Sequence, residues 1–204
     1  LCRKNGILLI ADEVITAFGR TGAWTGSRLW GVKPDFTCTA KAITNAYFPF
    51  GAVMIAEGVA QVFEADESGK AAIGHGYTYS GHPVGAAAAL ACLAETERLN
   101  VKDNAAARGA ELHQGLLALQ ARHEAIGDVR GGRGLMCALE LVADRATKKP
   151  ADKAVPGKVQ AIAYQAGAMV RVSGPNIILS PPLILSAGDV QTILGALDKG
   201  FAAL

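Results

Sequence analysis

Residues Ile7 to Ala52 read ILLIADEVITAFGRTGAWTGSRLWGVKPDFTCTAKAITNAYFPFGA. The stretch holds two apolar runs. Ile7–Ala11 runs into Asp12, and Phe36–Ala40 runs into Lys41. Apolar runs of this length bounded by turn residues read as buried strands of a parallel sheet. In an open α/β sheet, ligands sit just beyond the carboxyl ends of the strands. A carboxylate and an amine delivered there by two strands are therefore candidate site residues. The ordinary alternatives are a structural Asp–Lys pair or a surface lysine.

Working outward, Phe18–Gly26 carries three glycines and reads as a loop, Ser27–Gly31 as one helical turn, and Gly51–Ala56 as a third strand. Glu57–Ala65 is expected to be a short helix. Asp66–Gly76 is a polar, glycine-punctuated loop, followed by HGYTYSGHP from His75 to Pro83. Pro83 is well placed as the first residue of an alanine-rich helix, Val84–Leu99, expected to be buried. Val101–His123 reads as a second helix and Leu135–Val142 as an alternating strand. Lys158–Gly167 reads as a helix, Ala168–Val172 and Ile177–Ser180 as short strands, and Ala187–Ala203 as a terminal helix.

The 204 residues are 50% hydrophobic and 19% charged, with mean hydropathy +0.25 and net charge +2. That charge is too small to suggest nucleic acid or an anionic membrane surface as a partner. The longest apolar run, Val84–Ala94, is too short to span a bilayer. Cys2, Cys38, Cys92 and Cys137 stand singly, without metal-ligand or CxxC spacing. They read as reduced thiols of a cytoplasmic protein, and no metal site is expected. His113 and His123 are expected at the surface. Leu1 opens without an initiator methionine or a signal-peptide pattern, and a strand follows within six residues. The expectation is the carboxyl-terminal part of a longer polypeptide.

The order IADEV, FGRTG, PD, AK and FGAV resembles the class III (omega-type) aminotransferases, which use pyridoxal 5'-phosphate, over about half of the chain. The resemblance implies an α/β protein. Residues 1–98 would be the second half of the large cofactor domain of a fold-type I transferase, and residues 99–204 a small carboxyl-terminal α+β domain.

It also implies roles. Lys41, after the PD-x-x-x-x-x-K spacing, would form an imine with the cofactor aldehyde and then shuttle protons. A partly dry strand end would favour its neutral amine. Asp12 would keep the pyridine nitrogen protonated, and Val14 would pack on the ring. Thr78, with the backbone of Tyr77, would reach the cofactor phosphate of a second subunit, so that the site lies at a homodimer interface. Arg171, in MVRVSGPNIILSPPL, would bind the carboxylate of a keto-acid acceptor. Taken singly, each has a plainer reading: a turn aspartate, a core valine, a helix-entry threonine, a surface arginine. Ala42–Ala46 departs from the glycine and serine usual in the family.

The implied reaction is transfer of an amino group from an amine or omega-amino acid to pyruvate or a similar keto acid. An aminomutase or decarboxylase on the same scaffold, or an inactive dimerisation fragment, are the alternatives. The family's glycine/serine phosphate loop and ring-stacking aromatic lie in a stretch with no counterpart here. The chain alone is therefore expected to bind cofactor poorly.

Overall fold

The run before Asp12 forms β1 (Ile10–Asp12) and the run before Lys41 forms β2 (Phe36–Thr39). They pair in parallel, with Ile10, Ala11 and Asp12 opposite Phe36, Thr37 and Cys38. The register is set at the strand starts by Asp35. Its Oδ2 accepts from Leu9 N–H at 2.7 Å, and its own N–H donates to Leu9 O at 2.8 Å. β3 (Ala52–Ile55) returns antiparallel along the other edge of β2. The computed structural model describes residues 1–204.

The chain forms two compact units. One comprises Leu1–Phe18 with Ala23–Asn100, the other Gly19–Gly22 with Val101–Leu204. Besides the three strands, the first unit holds a short helix α1 (Gly26–Leu29), α2 (Glu57–Glu64) and α3 (Pro83–Arg98). Pro83 opens α3, and His82 caps it by accepting the Val84 N–H on Nδ1 at 3.2 Å. A proline suits this place because the first helical N–H groups have no intrahelical acceptor. Gly85 lets this first turn lie against two aromatic rings. A Cβ there would come within 2.7 Å of Phe50 and 2.9 Å of Phe48.

Two burial expectations fail in this unit. β1 is not buried: Ile10 is 65% exposed, and Ile7 and Leu8 are exposed as well. α3 buries only Gly85 and Ala89, leaving Val84 and Leu90 in solvent. Continuous apolar runs signal faces suited to being covered, yet Ile7, Leu8, Ile10, Val84 and Leu90 are exposed.

The second unit has its own core. After α4 (Val101–Arg122), the antiparallel strands β4 (Ile126–Arg130), β5 (Cys137–Asp144), β7 (Arg171–Ser173) and β8 (Asn176–Leu179) lie in the order β4-β5-β8-β7. A two-residue β6 (Lys149–Pro150) adds to the end of β5. Along β5, Cys137, Leu139 and Leu141 alternate into the core, as the sequence pattern requires. They meet Leu112, Leu116 and Leu119 of α4, Val159 and Ala163 of α5 (Ala154–Gln165), and Val190, Leu197 and Phe201 of α6 (Ala187–Ala202). Ser186 and Asp189 close a capping box at the start of α6.

β4 has no counterpart in the sequence reading, since Gly127 and Asp128 spoil its pattern. It is carried by pairing to β5, with an irregularity between Ile126 and Asp128. α5 begins four residues before the expected Lys158. Pro156 is tolerated because it falls in the first turn. His123 is not a free surface residue: its Nε2 meets Asp198 Oδ1 at 2.6 Å and its ring packs on Phe201.

Candidate active site

Asp12 ends β1, and Lys41 stands just past the end of the parallel neighbour β2. The two strands thus deliver an acid and an amine to the same carboxyl edge. Asp12 is exposed; its Oδ1 accepts from Val14 N–H at 3.0 Å in a short turn. The other oxygen remains open to a donor.

Lys41 is also exposed, not partly dry as expected. β2 stops at Thr39, the chain leaves the sheet through an extended Ala40, and Lys41 starts a 3-10 turn (Lys41–Ile43) on the rim. No carboxylate lies within ion-pair distance of it. Its φ of 49° is in the left-handed region, which is sparsely used by side chains other than glycine. Such strain clusters at functional sites.

The loop after Lys41 repeats this conformation at Asn45 (φ 50°) and Ala46 (φ 65°). Asparagine tolerates it, whereas for alanine, as for other residues with a Cβ, it is unfavourable. Ala46→Gly is therefore expected to raise stability by about 1 kcal/mol. The readout is the urea midpoint, and a lower midpoint would mean that the backbone there is not left-handed.

A third residue holds this edge together, and the sequence reading gave it no role. Glu13 is only 3% exposed. Its carboxylate accepts from Gly26 N–H at 2.8 Å and Ser27 N–H at 2.6 Å, and from the hydroxyls of Ser27 and Thr16. It ties the start of α1 directly beside Asp12. Burial raises its pKa, but the donors from Ser27, Thr16 and Gly26 outweigh that and hold it below the usual carboxylate range. A depressed pKa stabilises the fold above the unfolded-state value, and that stability is lost as pH falls through the folded value. Glu13→Gln puts an NH2 against N–H donors. It is expected to cost about 2–3 kcal/mol at neutral pH, with the gap to the parent protein closing below about pH 4. Denaturant curves at several pH values would show this, and a pH-independent gap would contradict it.

Tyr77 and Thr78 lie exposed in the loop ahead of α3. The Tyr77 N–H is taken by Ser80 Oγ at 2.9 Å, and its ring meets His75 edge-on.

Arg171 belongs to the second unit, where it opens β7. It borders a cavity of about 810 Å3 lined also by Met169, Ile178, Pro181, Ile184 and Asp189. Asp189 is committed to the Ser186 N–H and hydroxyl, so the guanidinium has no carboxylate partner. A free guanidinium beside an apolar cavity suits a carboxylate ligand.

The model of the aminotransferase class-III family matches residues 1–201. The chain belongs to the class III aminotransferases. It is 41% identical over 201 residues to an uncharacterised aminotransferase of Sinorhizobium fredii, covering 97% of this chain and 43% of that protein. It is 37% identical over 212 residues to a taurine–pyruvate aminotransferase of Bilophila wadsworthia, covering 100% of this chain and 46% of the other. Among solved structures, an amine transaminase from an uncultivated Pseudomonas species, determined in its PLP-bound form, superimposes with a TM-score of 0.95. The identity is 46%, over 99% of this chain and 46% of that one. The α/β fold of this class III chain is thus that of the fold-type I transaminases, whose cofactor is pyridoxal phosphate. It spans less than half the length of these relatives. None of its helices is long and apolar enough to cross a membrane.

Proposed function

We propose that this chain contributes the lysine, the ring-nitrogen partner and the acceptor arginine to a transaminase. That enzyme moves an amino group from an amine or omega-amino acid to pyruvate or a similar keto acid. The observation that carries the reading is the placement of Asp12 and Lys41 at the carboxyl ends of adjacent parallel strands. These residues fit pyridoxal phosphate: Lys41 Nζ is unpaired, and Asp12 keeps one carboxylate oxygen open to a ring N–H. When bound, the cofactor supplies an electron sink for the substrate's carbon.

The residues would divide the remaining work. Asp12, at its strand end, holds the proton on the ring nitrogen. Lys41 Nζ would hold the cofactor through its aldehyde group, with loss of water, and as a free amine would serve as the base and then the acid for the proton on the substrate carbon. Val14, two residues beyond Asp12, packs on the ring. Thr78 offers its hydroxyl to the phosphate of a second subunit's cofactor, in a homodimer. The Tyr77 N–H can join it only by leaving Ser80. Arg171 forks onto the acceptor's carboxylate. The other contacts are proposed to come from residues outside these 204, and the four unpaired cysteines suit a cytoplasmic setting.

Borohydride reduction of the cofactor-loaded protein, followed by peptide mapping, tests this. A pyridoxyl group is expected on Lys41, and a label on any other lysine would end the proposal. Amine-donor profiling with pyruvate separates transamination from aminomutase or decarboxylase chemistry.

A further inference from the structure

One wall of the cavity beside Arg171 is made by Ser180, Pro181, Pro182, Ile184 and Leu185. This segment follows β8 and belongs to no helix or strand. Its two prolines have no N–H to offer a ladder. Side chains from elsewhere in the same unit take its carbonyls. Arg20 Nη1 donates to Pro181 O at 2.6 Å and, two residues ahead of β5, to Leu135 O at 2.8 Å. Asn104 Nδ2 donates to Leu183 O at 2.8 Å and Leu185 O at 3.1 Å. Neither Arg20 nor Asn104 lines the cavity itself.

Arg20 is an unusual choice for a purely structural tie. Its side chain is half-buried, the partial desolvation lowers its pKa, and it has no carboxylate partner. Burying a cation without a counter-charge is unfavourable unless its hydrogen bonds are well made. Its backbone is fixed as well: Leu135 N–H donates to Arg20 O at 3.0 Å, and Gly134 lies so close that a Cβ would come within 2.1 Å of that oxygen. The reach of the side chain to Pro181 is therefore set by the fold.

We propose that Arg20 and Asn104 are positioning residues that fix the Ser180–Leu185 wall, and with it the size of substrate the cavity admits. The inference rests on the reading of this cavity as the substrate pocket of Arg171. Neither residue touches substrate; both act through the carbonyls they hold. A wall set by two clasps at three carbonyls has a defined shape, and loosening it changes which substrates are held without altering the groups that move protons.

The test uses the holoenzyme with Arg20→Met, Arg20→Lys and Asn104→Ala, assayed with a small alkyl amine and a bulky arylalkyl amine against pyruvate. Arg20→Met is expected to raise KM for the bulky amine about tenfold, with kcat for the small amine changed by less than about twofold, the scale of one lost charge-assisted hydrogen bond. Arg20→Lys, which keeps a charged donor, is expected to recover part of the loss. Hydrogen exchange at the Leu183–Leu185 amides, read without turnover, should quicken in Arg20→Met and Asn104→Ala. Asn104→Ala carries the test if Arg20→Met does not fold. Proportional loss for both amines, or unchanged exchange in that segment, would overturn the proposal. Arg171→Ala separates the two claims. If it leaves the KM for pyruvate unchanged while Arg20→Met still alters amine selectivity, the carboxylate reading fails and the wall stands. If it raises that KM and Arg20→Met alters nothing, the wall alone fails.

Discussion

Lys41→Ala is expected to lower transaminase turnover by about 10³-fold or more and to remove the borohydride-stable label. The size follows from two tasks assigned to one nitrogen. Proton transfer by a positioned base contributes about 10²–10⁴-fold by itself, and loss of the covalent hold adds to that. The fold should be untouched: Lys41 is exposed, forms no ion pair, and alanine would occupy the same left-handed backbone. Thermal midpoints of the two proteins should therefore agree while activity collapses. Added methylamine should restore a fraction of turnover, because a free amine can perform the proton transfers but not the positioning. Turnover within tenfold of the parent protein, at an unchanged midpoint, would remove Lys41 from the mechanism.

The second large effect concerns stability. Gly134→Ala is expected to cost about 4 kcal/mol or more, the sum of a left-handed alanine and an overpacked core. Gly134 has φ 61°, and a Cβ there would lie 2.1 Å from Arg20 O, 2.5 Å from Thr21 C and 2.6 Å from Gly22 N. Those neighbours are backbone atoms and cannot rotate away. On the other side Gly109 of α4 is pressed equally close, since a Cβ on it would meet Gly134 O at 2.0 Å. Urea denaturation followed by far-UV circular dichroism measures the loss. A change below about 1 kcal/mol would mean that the segment can shift, contrary to the close packing.

What could be read from residues alone was the position of Asp12 and Lys41 at the ends of strands. Asp12 and Lys41 stood out because each interrupts an apolar run, and the parallel pairing of their strands follows from those runs. Glu13 stayed hidden because its partners, Gly26 and Ser27, are brought to it only when the intervening loop folds. Arg20 was harder still. Its two acceptors lie 115 and 161 residues away, and no periodicity links them. The left-handed backbone at Ala46 could not be read because alanine carries no signal for it. Burial was misjudged at β1 and α3 for a different reason. Hydrophobicity reports what a face is suited to meet, whereas accessibility depends on which atoms are present to cover it.

The four residues Gly19–Gly22 belong with a unit whose remaining members begin at Val101. Anyone swapping that unit between homologues at the Asn100–Val101 junction would leave this quartet behind, and with it the carbonyl that Leu135 needs and the arginine that Pro181 needs. A working chimera has to be spliced at three places, not one.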